Sequence, residues 1–101
     1  MKEINAAVNE LVSFANFLGL TVDFKPLKYN DGRLRDNRIL IREGMDTTKT
    51  IYALAHEIAH AALHFDKGDT MNSPKHDEYE EQAHRAAMLI IRAMSYAIVQ
   101  Q

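Results

Sequence analysis

The sequence contains no cysteine and no long run of apolar residues. Without cysteine the fold contains no disulfide, and any metal must be held by nitrogen and oxygen ligands rather than by thiolates. No apolar stretch approaches the ~18 residues that suggest a membrane-spanning helix. The amphipathic N-terminus has acidic residues and no continuous apolar segment, so it is not typical of a signal peptide. We therefore expect a cytoplasmic protein with no membrane partner.

The chain also shows no internal repeat, no low-complexity tract and no linker. Its 101 residues are 47% hydrophobic and 26% charged, which are ordinary values for a globular protein. A chain of this length forms one compact domain and is too short for two. We therefore predict a single domain over residues 1–101.

The charged residues are distributed unevenly. Residues 25–42 contain six Lys or Arg residues and two Asp residues, whereas residues 66–81 contain six Asp or Glu residues and two Lys residues. A basic segment can mark a nucleic-acid surface, and a nucleic-acid-binding accessory factor therefore stays open as a hypothesis. The basic residues do not alternate with aromatic ones, since residues 25–42 contain Tyr29 as their single aromatic residue. This favours a solvated hairpin, and we do not expect a nucleic-acid partner.

Hydrophobic periodicity predicts an α+β fold. Apolar residues at helical spacing predict a helix over residues 3–18, which Gly19 ends in a left-handed turn. The β-prone runs "LTVDFKPL" and "RILIRE" flank "YNDGR", whose Asp-Gly pair is typical of a tight turn. A small antiparallel sheet of two or three strands follows from this pattern, with Pro26 at an edge or a bulge.

Two further helices complete the predicted fold. Asp46 or Thr47 caps a helix that runs to about residue 65, and residues 66–73 form a loop. Ser73 and Pro74 then start one long C-terminal helix. The predicted core consists of Ile4, Val8, Leu11, Val12, Ile39, Ile41, Leu54, Ile58, Ala87, Ile91 and Met94.

The stretch "HEIAHAALH", residues 56–64, carries the strongest functional signal. On a helix His56 and His60 lie about 40° apart on one face and about 6 Å apart along the axis, so both can bind one zinc ion. Glu57 lies about 60° around from His60, too far to be a comfortable ligand but within reach of a water held by the metal. In an H-E-x-x-H motif, one helix supplies two metal ligands and a general base in this way. The alternative is that the histidines form only a polar helix face.

His64 is a third histidine at the same spacing. His56 and His64 are about 12 Å apart along the helix, so all three cannot share one ion. Glu57 favours the pair His56 and His60. We interpret His64 as a cap or an outer hydrogen-bond partner, with a metal role as the alternative.

A catalytic zinc needs a third protein ligand, and the C-terminal helix offers several carboxylates. Glu80 continues the apolar stripe of that helix and therefore stands on its buried face. Glu81 is placed to pair with Arg85 in solvent, and Glu78 also points outward. We predict Glu80 as the third ligand, the alternative being a capping box with Asp77. His76 and His84 lie nearby in the sequence.

"HEIAH" followed twenty residues later by "EEQAHRAA" resembles the gluzincin metallopeptidases. The β-prone runs, "TIYALAHEIAHAALH" and "YEEQAHRAAMLI" are most similar to the ImmA/IrrE family and to peptidase-like domains of antirestriction proteins on mobile elements. The resemblance covers roughly residues 20–95. It implies a minimal zincin-like domain with zinc ligands His56, His60 and Glu80, and with Glu57 as general base. It also implies a regulatory protein substrate, commonly a helix-turn-helix repressor of a phage or integrated element.

The chain departs from the family pattern at several positions. Gln82 stands where relatives often have a second acid, and Ala86 with Ala87 replaces a Phe-Ala pair. His84 occupies the position of an Asp that orients a metal histidine, so it can do the same job through a different hydrogen bond or stabilise an oxyanion. We assign similar outer roles to His64 and His76.

These features predict zinc-dependent limited proteolysis of a protein or peptide substrate. We expect an acidic or flexible segment to pair as an extra strand along an exposed edge offered by "RILIRE". The alternative is a catalytically weak, zinc-stapled module of a mobile element that binds a protein partner.

Overall fold

The computed structural model describes residues 2–64 and 75–100, with side chains over 6–63 and 75–99. The elements in chain order are α1 (Lys2–Phe17), β1 (Thr21–Lys25), β2 (Gly32–Arg35), β3 (Arg38–Arg42), α2 (Thr47–His64) and α3 (His76–Gln100). The predicted α+β class is therefore confirmed. The predicted loop over 66–73, with the helix start at Ser73 and Pro74, lies outside the described residues. In the described parts of the chain, no helix combines the length and the apolar character needed to cross a membrane.

The sheet is mixed rather than antiparallel, with the strand order β1-β3-β2. β2 and β3 form an antiparallel hairpin, whereas β1 runs parallel to β3 along its other side. The tight turn lies at Asp36 and Asn37, where Asp36 has a φ of 55°, a left-handed conformation that Asp tolerates. The Asp-Gly pair that predicted a turn instead leads into β2, with Gly32 as its first residue. The prediction of an antiparallel sheet is thus wrong for β1, because β1 pairs with the strand beyond its neighbour in sequence.

Strand β3 lies at the centre of the sheet. Ile39 and Ile41 are fully buried on its helix-facing side, and both of its edges are paired. The expectation that "RILIRE" offers an exposed edge is therefore wrong. The edge strands are β1, which ends just before Pro26, and β2. Pro26 follows an edge strand, as its missing N–H requires.

The core lies between the inner face of the sheet and helices α1 and α2. Its buried cluster comprises Leu11, Ala15, Leu20, Ile39, Ile41, Ala53, Leu54, Ile58 and Ala61. Of the other predicted core residues, Ala87 is buried and Val12 and Met94 pack against the cluster. Val8 and Ile91 are half-buried, and the side chain of Ile4 lies outside the described part. Helix α2 is held on two sides, by the sheet and by α3.

Asp46 fixes the start of α2. Its Oδ1 accepts a hydrogen bond of 2.8 Å from the Lys49 backbone N–H, which is the contact of an N-cap residue. The Thr50 hydroxyl donates to the Asp46 carbonyl oxygen at 3.0 Å. The structure therefore selects Asp46 from the two predicted caps. A fixed start sets the rotational phase of the whole helix, and with it the directions of the side chains about three to four turns later.

Candidate metal centre

His56 and His60 project from α2 towards α3. Their ring centroids are 4.7 Å apart, as expected for residues four apart on a helix. The face that carries them is distinct from the core face, where Leu54 and Ile58 are fully buried. The packing of Leu54 and Ile58 therefore holds both imidazoles at the interface between the two helices.

Glu80 meets both histidines from α3. Its Oε2 lies 3.1 Å from His56 Nε2, and its Oε1 lies 3.2 Å from His60 Nε2. One ligand atom from each of the three residues lies within 4.8 Å of the others, the only such group among residues 2–64 and 75–100. Ligand atoms at about 2.0–2.1 Å from a tetrahedral zinc are about 3.3 Å apart, so the three side chains fit a small divalent cation.

The other acidic residues at the start of α3 point away from this group. Glu81 forms an exposed ion pair of 3.0 Å with Arg85, and Glu78 is exposed. Asp77 is the second residue of α3 rather than its N-cap, so the capping-box alternative for Glu80 does not apply. The helical periodicity of α3 predicted that Glu80 faces inward while Glu78 and Glu81 face solvent, and the structure has the same arrangement.

Two further predicted residues occupy the helix ends. His76 is the first residue of α3 and is half-buried, one turn before Glu80. His64 is the last residue of α2, and its side chain lies outside the described part. His76 does not belong to the three-ligand group.

Glu57 is buried beneath the start of β2, with a relative exposure of 8%. A Cβ atom added at Gly32 would lie 3.1 Å from Glu57 Cγ and 3.2 Å from Glu57 Oε2. Real Cβ atoms rarely approach other atoms this closely, so a side chain at position 32 would require the Glu57 carboxylate to shift by a few tenths of an ångström. The sequence pattern predicted that Gly32 belongs to a turn, whereas in the structure it is the first residue of β2 and packs against the Glu57 side chain.

Burial, and secondarily the negative charge of Glu80, raise the pKa of Glu57 from 4.5 to about 7. A desolvated carboxylate is unfavourable, and a second carboxylate nearby opposes its ionisation further. A carboxyl group whose pKa lies near neutrality can both accept and return a proton at neutral pH. A cation bound at the three ligands would oppose this rise, because it attracts the ionised form.

Tyr52 is a residue of the centre that sequence reasoning missed. Its ring stacks on the His56 ring, with centroids 5.5 Å apart and planes 20° apart. Its hydroxyl lies 2.7 Å from His84 Nδ1. Burial, and then the charge of Glu80, raise the pKa of Tyr52, which keeps the phenol protonated. Extending the four-residue spacing one turn backwards from His60 and His56 would have found it.

His84 is joined to the centre through Tyr52. The two rings are 5.8 Å apart and tilted by 54°, and their hydrogen bond links α3 to α2 one turn beyond Glu80. Of the two roles predicted for His84, orientation of a metal histidine through a different hydrogen bond agrees with this contact, because His84 bonds to a tyrosine that stacks on His56. Gln82, which stands where relatives have an acid, is exposed.

The two histidines and the glutamate, grouped beside a buried carboxylate, have the arrangement of an H-E-x-x-H metal site and could hold a metal ion. The chain belongs to the Peptidase M78 family, described as an IrrE N-terminal-like domain, whose family model matches residues 15–99. The resemblance to ImmA/IrrE proteins is therefore confirmed, and the domain is metallopeptidase-like. No curated protein and no solved structure is significantly similar to the chain.

The three-ligand group makes a first prediction about metal binding. Alanine at His56, His60 or Glu80 is expected to abolish stoichiometric zinc binding, because two remaining ligands do not hold a structural or catalytic zinc. Alanine at Glu78, Glu81 or His64 is expected to spare it. Metal content after dialysis measures this. A strong chelator should also lower the melting temperature of the wild type, but not that of His56→Ala or Glu80→Ala. A site emptied by Glu81→Ala but retained in Glu80→Ala would contradict the assignment.

The raised pKa of Glu57 predicts how the stability of the metal-free protein depends on pH. Between pH 4.5 and about 7 the folded state holds a proton that the unfolded chain has lost. The free energy of unfolding therefore decreases as the pH rises through this range. Glu57→Gln removes this term, so we expect the chelator-treated variant to exceed wild type by roughly 2–3 kcal/mol at pH 8 and to equal it near pH 4.5.

Urea unfolding at both pH values measures this difference. Glu78→Gln is the matched control, since Glu78 is exposed, and it should follow the wild type. An unchanged pH dependence in Glu57→Gln relative to this control would show that the buried carboxyl is not the group responsible.

The stacking of Tyr52 on His56 makes a third prediction. Tyr52→Phe keeps the ring and loses only the hydrogen bond to His84, so zinc affinity should stay within about threefold of wild type. Tyr52→Ala removes the ring that orients His56 and should weaken zinc binding by about tenfold or more, the usual effect of losing a group that orients a ligand. Competition with a chromophoric chelator measures both. Equal affinities in the two variants would contradict a positioning role for the ring.

Proposed function

We propose that the protein is a zinc-dependent metallopeptidase that performs limited proteolysis of a protein substrate. The observation that carries this proposal is the position of the buried Glu57 carboxylate beside the cluster of His56, His60 and Glu80. Membership of a peptidase family supports it. The donor set of two imidazoles and one carboxylate, with no thiolate, suits a catalytic zinc.

His56, His60 and Glu80 would hold the zinc, which when bound would lower the pKa of a water and polarise the scissile carbonyl. Glu57 supplies the acid-base chemistry: its carboxylate accepts the proton of the attacking water and then delivers it to the leaving amine nitrogen. In the metal-free protein, burial and then the charge of Glu80 raise its pKa to about 7; a bound cation opposes this rise and favours the ionised form that accepts the proton. Tyr52 keeps the His56 ring in place, and the start of β2 shields the carboxylate from bulk water.

The free edge of β2 is where we propose that the substrate docks. β2 is an outer strand of the sheet, and its first residue, Gly32, lies against Glu57. A peptide paired with this edge would therefore pass close to the general base. Strand addition suits a small domain, since main-chain hydrogen bonds bind an extended segment without a deep pocket. The central strand β3 has no free edge to offer.

The substrate we propose is a helix-turn-helix repressor of a phage or another mobile element, cut at few positions. This rests on the family's regulatory targets and on the open site, which is better suited to an extended segment of a folded protein than to general digestion. A substrate of this kind acts in the cytoplasm, where we expect the protein to work.

A zinc-stapled binding module without turnover is the second candidate. It is favoured by the departures at Gln82, His84 and Ala86, and above all by His84, which bonds to Tyr52 and not to a metal histidine. In this case zinc would join α2 to α3, and the edge of β2 would bind a protein partner that is released intact.

The fourth prediction tests turnover. Glu57→Gln is expected to keep zinc and the fold but to lose at least about 100-fold in hydrolysis, because an amide cannot accept the water proton. Zinc-loaded wild type, Glu57→Gln and the control Glu78→Gln are incubated with the repressor encoded beside the gene and with unfolded casein. We expect wild type and control to cut the repressor at one or few sites. Cleavage of casein alone would overturn the limited specificity, and cleavage of neither would favour the binding module.

A further inference from the structure

The solvent-facing side of the sheet carries two arginines next to the proposed docking edge. In β2, Gly32 and Leu34 face the helices, while Arg33 and Arg35 are exposed on the opposite side. Arg33 lies opposite Leu40, and Arg35 lies opposite Arg38. Both arginines therefore stand on the outermost strand, beyond which the described residues place no further strand.

These two arginines differ from the other arginines of the sheet in their charge partners. Arg38 is 3.0 Å from Asp23, and Arg42 is 3.7 Å from Asp31. Arg33 and Arg35 have no carboxylate at ion-pair distance within the parts of the chain that the structure describes. Their charges are thus available to a partner.

The hydrogen-bond pattern of the hairpin determines what an added strand would meet. The Arg42 N–H donates to the Asp31 carbonyl oxygen at 2.8 Å, so the main-chain groups of Asp31 point towards β3. Because an antiparallel ladder alternates, the N–H and C=O groups of Gly32 and Leu34 point to the free edge. The residues of an added antiparallel strand opposite Arg33 and Arg35 would then form non-hydrogen-bonded pairs, in which side chains lie closest.

We propose that β2 selects an extended acidic segment, with Asp or Glu at two alternate positions facing Arg33 and Arg35. The inference rests on the proposed function in taking this segment as the substrate, since Gly32 ends the same edge beside Glu57. Opposite charges directly across two strands stabilise pairing, and like charges oppose it. Two such pairs correspond to an affinity difference of about three- to tenfold between an acidic and a basic segment.

Binding without turnover tests the selection. The full chain with Glu57→Gln is loaded with zinc and titrated into a fluorescein-labelled peptide Ser-Glu-Val-Glu-Val-Glu-Ser at low salt. Its lysine counterpart, Ser-Lys-Val-Lys-Val-Lys-Ser, is measured in parallel by anisotropy. We expect the acidic peptide to bind about three- to tenfold more tightly, with the difference decreasing as salt increases. N-methylation of both valines should abolish binding, because it removes donors to the edge.

Charge variants locate the effect. Arg33→Glu with Arg35→Glu should reverse the preference, and Arg33→Gln with Arg35→Gln should remove it. Arg92→Glu, on the exposed side of α3, changes the net charge by as much as the double glutamine variant; it is the control and should leave the preference unchanged. Circular dichroism checks that each variant is folded.

Several results would overturn the inference. The first is that the acidic and basic peptides bind equally or that neither binds. The second is that the N-methylated peptide binds as tightly as the unmodified one. The third is that the variants at Arg33 and Arg35 change the peptide preference no more than Arg92→Glu does. Tighter binding of an oligodeoxythymidine that depends on Arg33 and Arg35 would assign the surface to nucleic acid instead. The Glu57→Gln variant lacks the proposed general base, so the experiment measures peptide binding without turnover. Absence of peptidase activity in the wild type therefore does not affect this measurement. Wild-type cleavage without any acidic preference would overturn the inference and leave the proposed function standing.

Discussion

The burial of α2 between the sheet and α3 is the constraint on which the rest of the structure depends. Leu54 and Ile58 are fully buried against the core, and His56 and His60 leave the same helix on the side of α3. Since side-chain directions on a helix are fixed relative to one another, packing the apolar face also aims the imidazoles. The hydrogen bond from Lys49 N–H to the Asp46 cap secures the start of this helix. Rotation of α2 by a fraction of a turn would remove Leu54 and Ile58 from the core. The same rotation would move His56 and His60 away from Glu80.

Burial of the Glu57 carboxyl is energetically unfavourable for so small a fold. Burial opposes its ionisation and raises its pKa to about 7, and a side chain at position 32 would displace it by a few tenths of an ångström. Natural proteins break local stability rules of this kind mainly at functional sites. The two costs concern the same carboxyl group, which lies next to the three-ligand cluster. This coincidence favours the proposed catalytic role over a purely structural metal site.

The centre lies where the start of an edge strand meets two packed helices. Such a corner gives the ligands a rigid support from α2 and α3 and leaves main-chain groups of β2 open beside them. The free edge is also a liability, because it can pair with a second copy of the chain. Arg33 and Arg35 oppose that pairing through like-charge repulsion while leaving the edge open to an acidic strand.

Local sequence determines the helices and most of the three-ligand group. The four-residue spacing places His56 and His60 on one face whatever surrounds them, and the phase of the apolar stripe on α3 singles out Glu80 from Glu78 and Glu81. These features repeat with the period of a helix, so a single chain segment contains all the information. The tertiary structure alone decides the parallel pairing of β1 with β3, the position of Gly32 over Glu57 and the bond from Tyr52 to His84. Each of these joins residues far apart in sequence, and no local period or propensity specifies which distant segment a strand or side chain will meet.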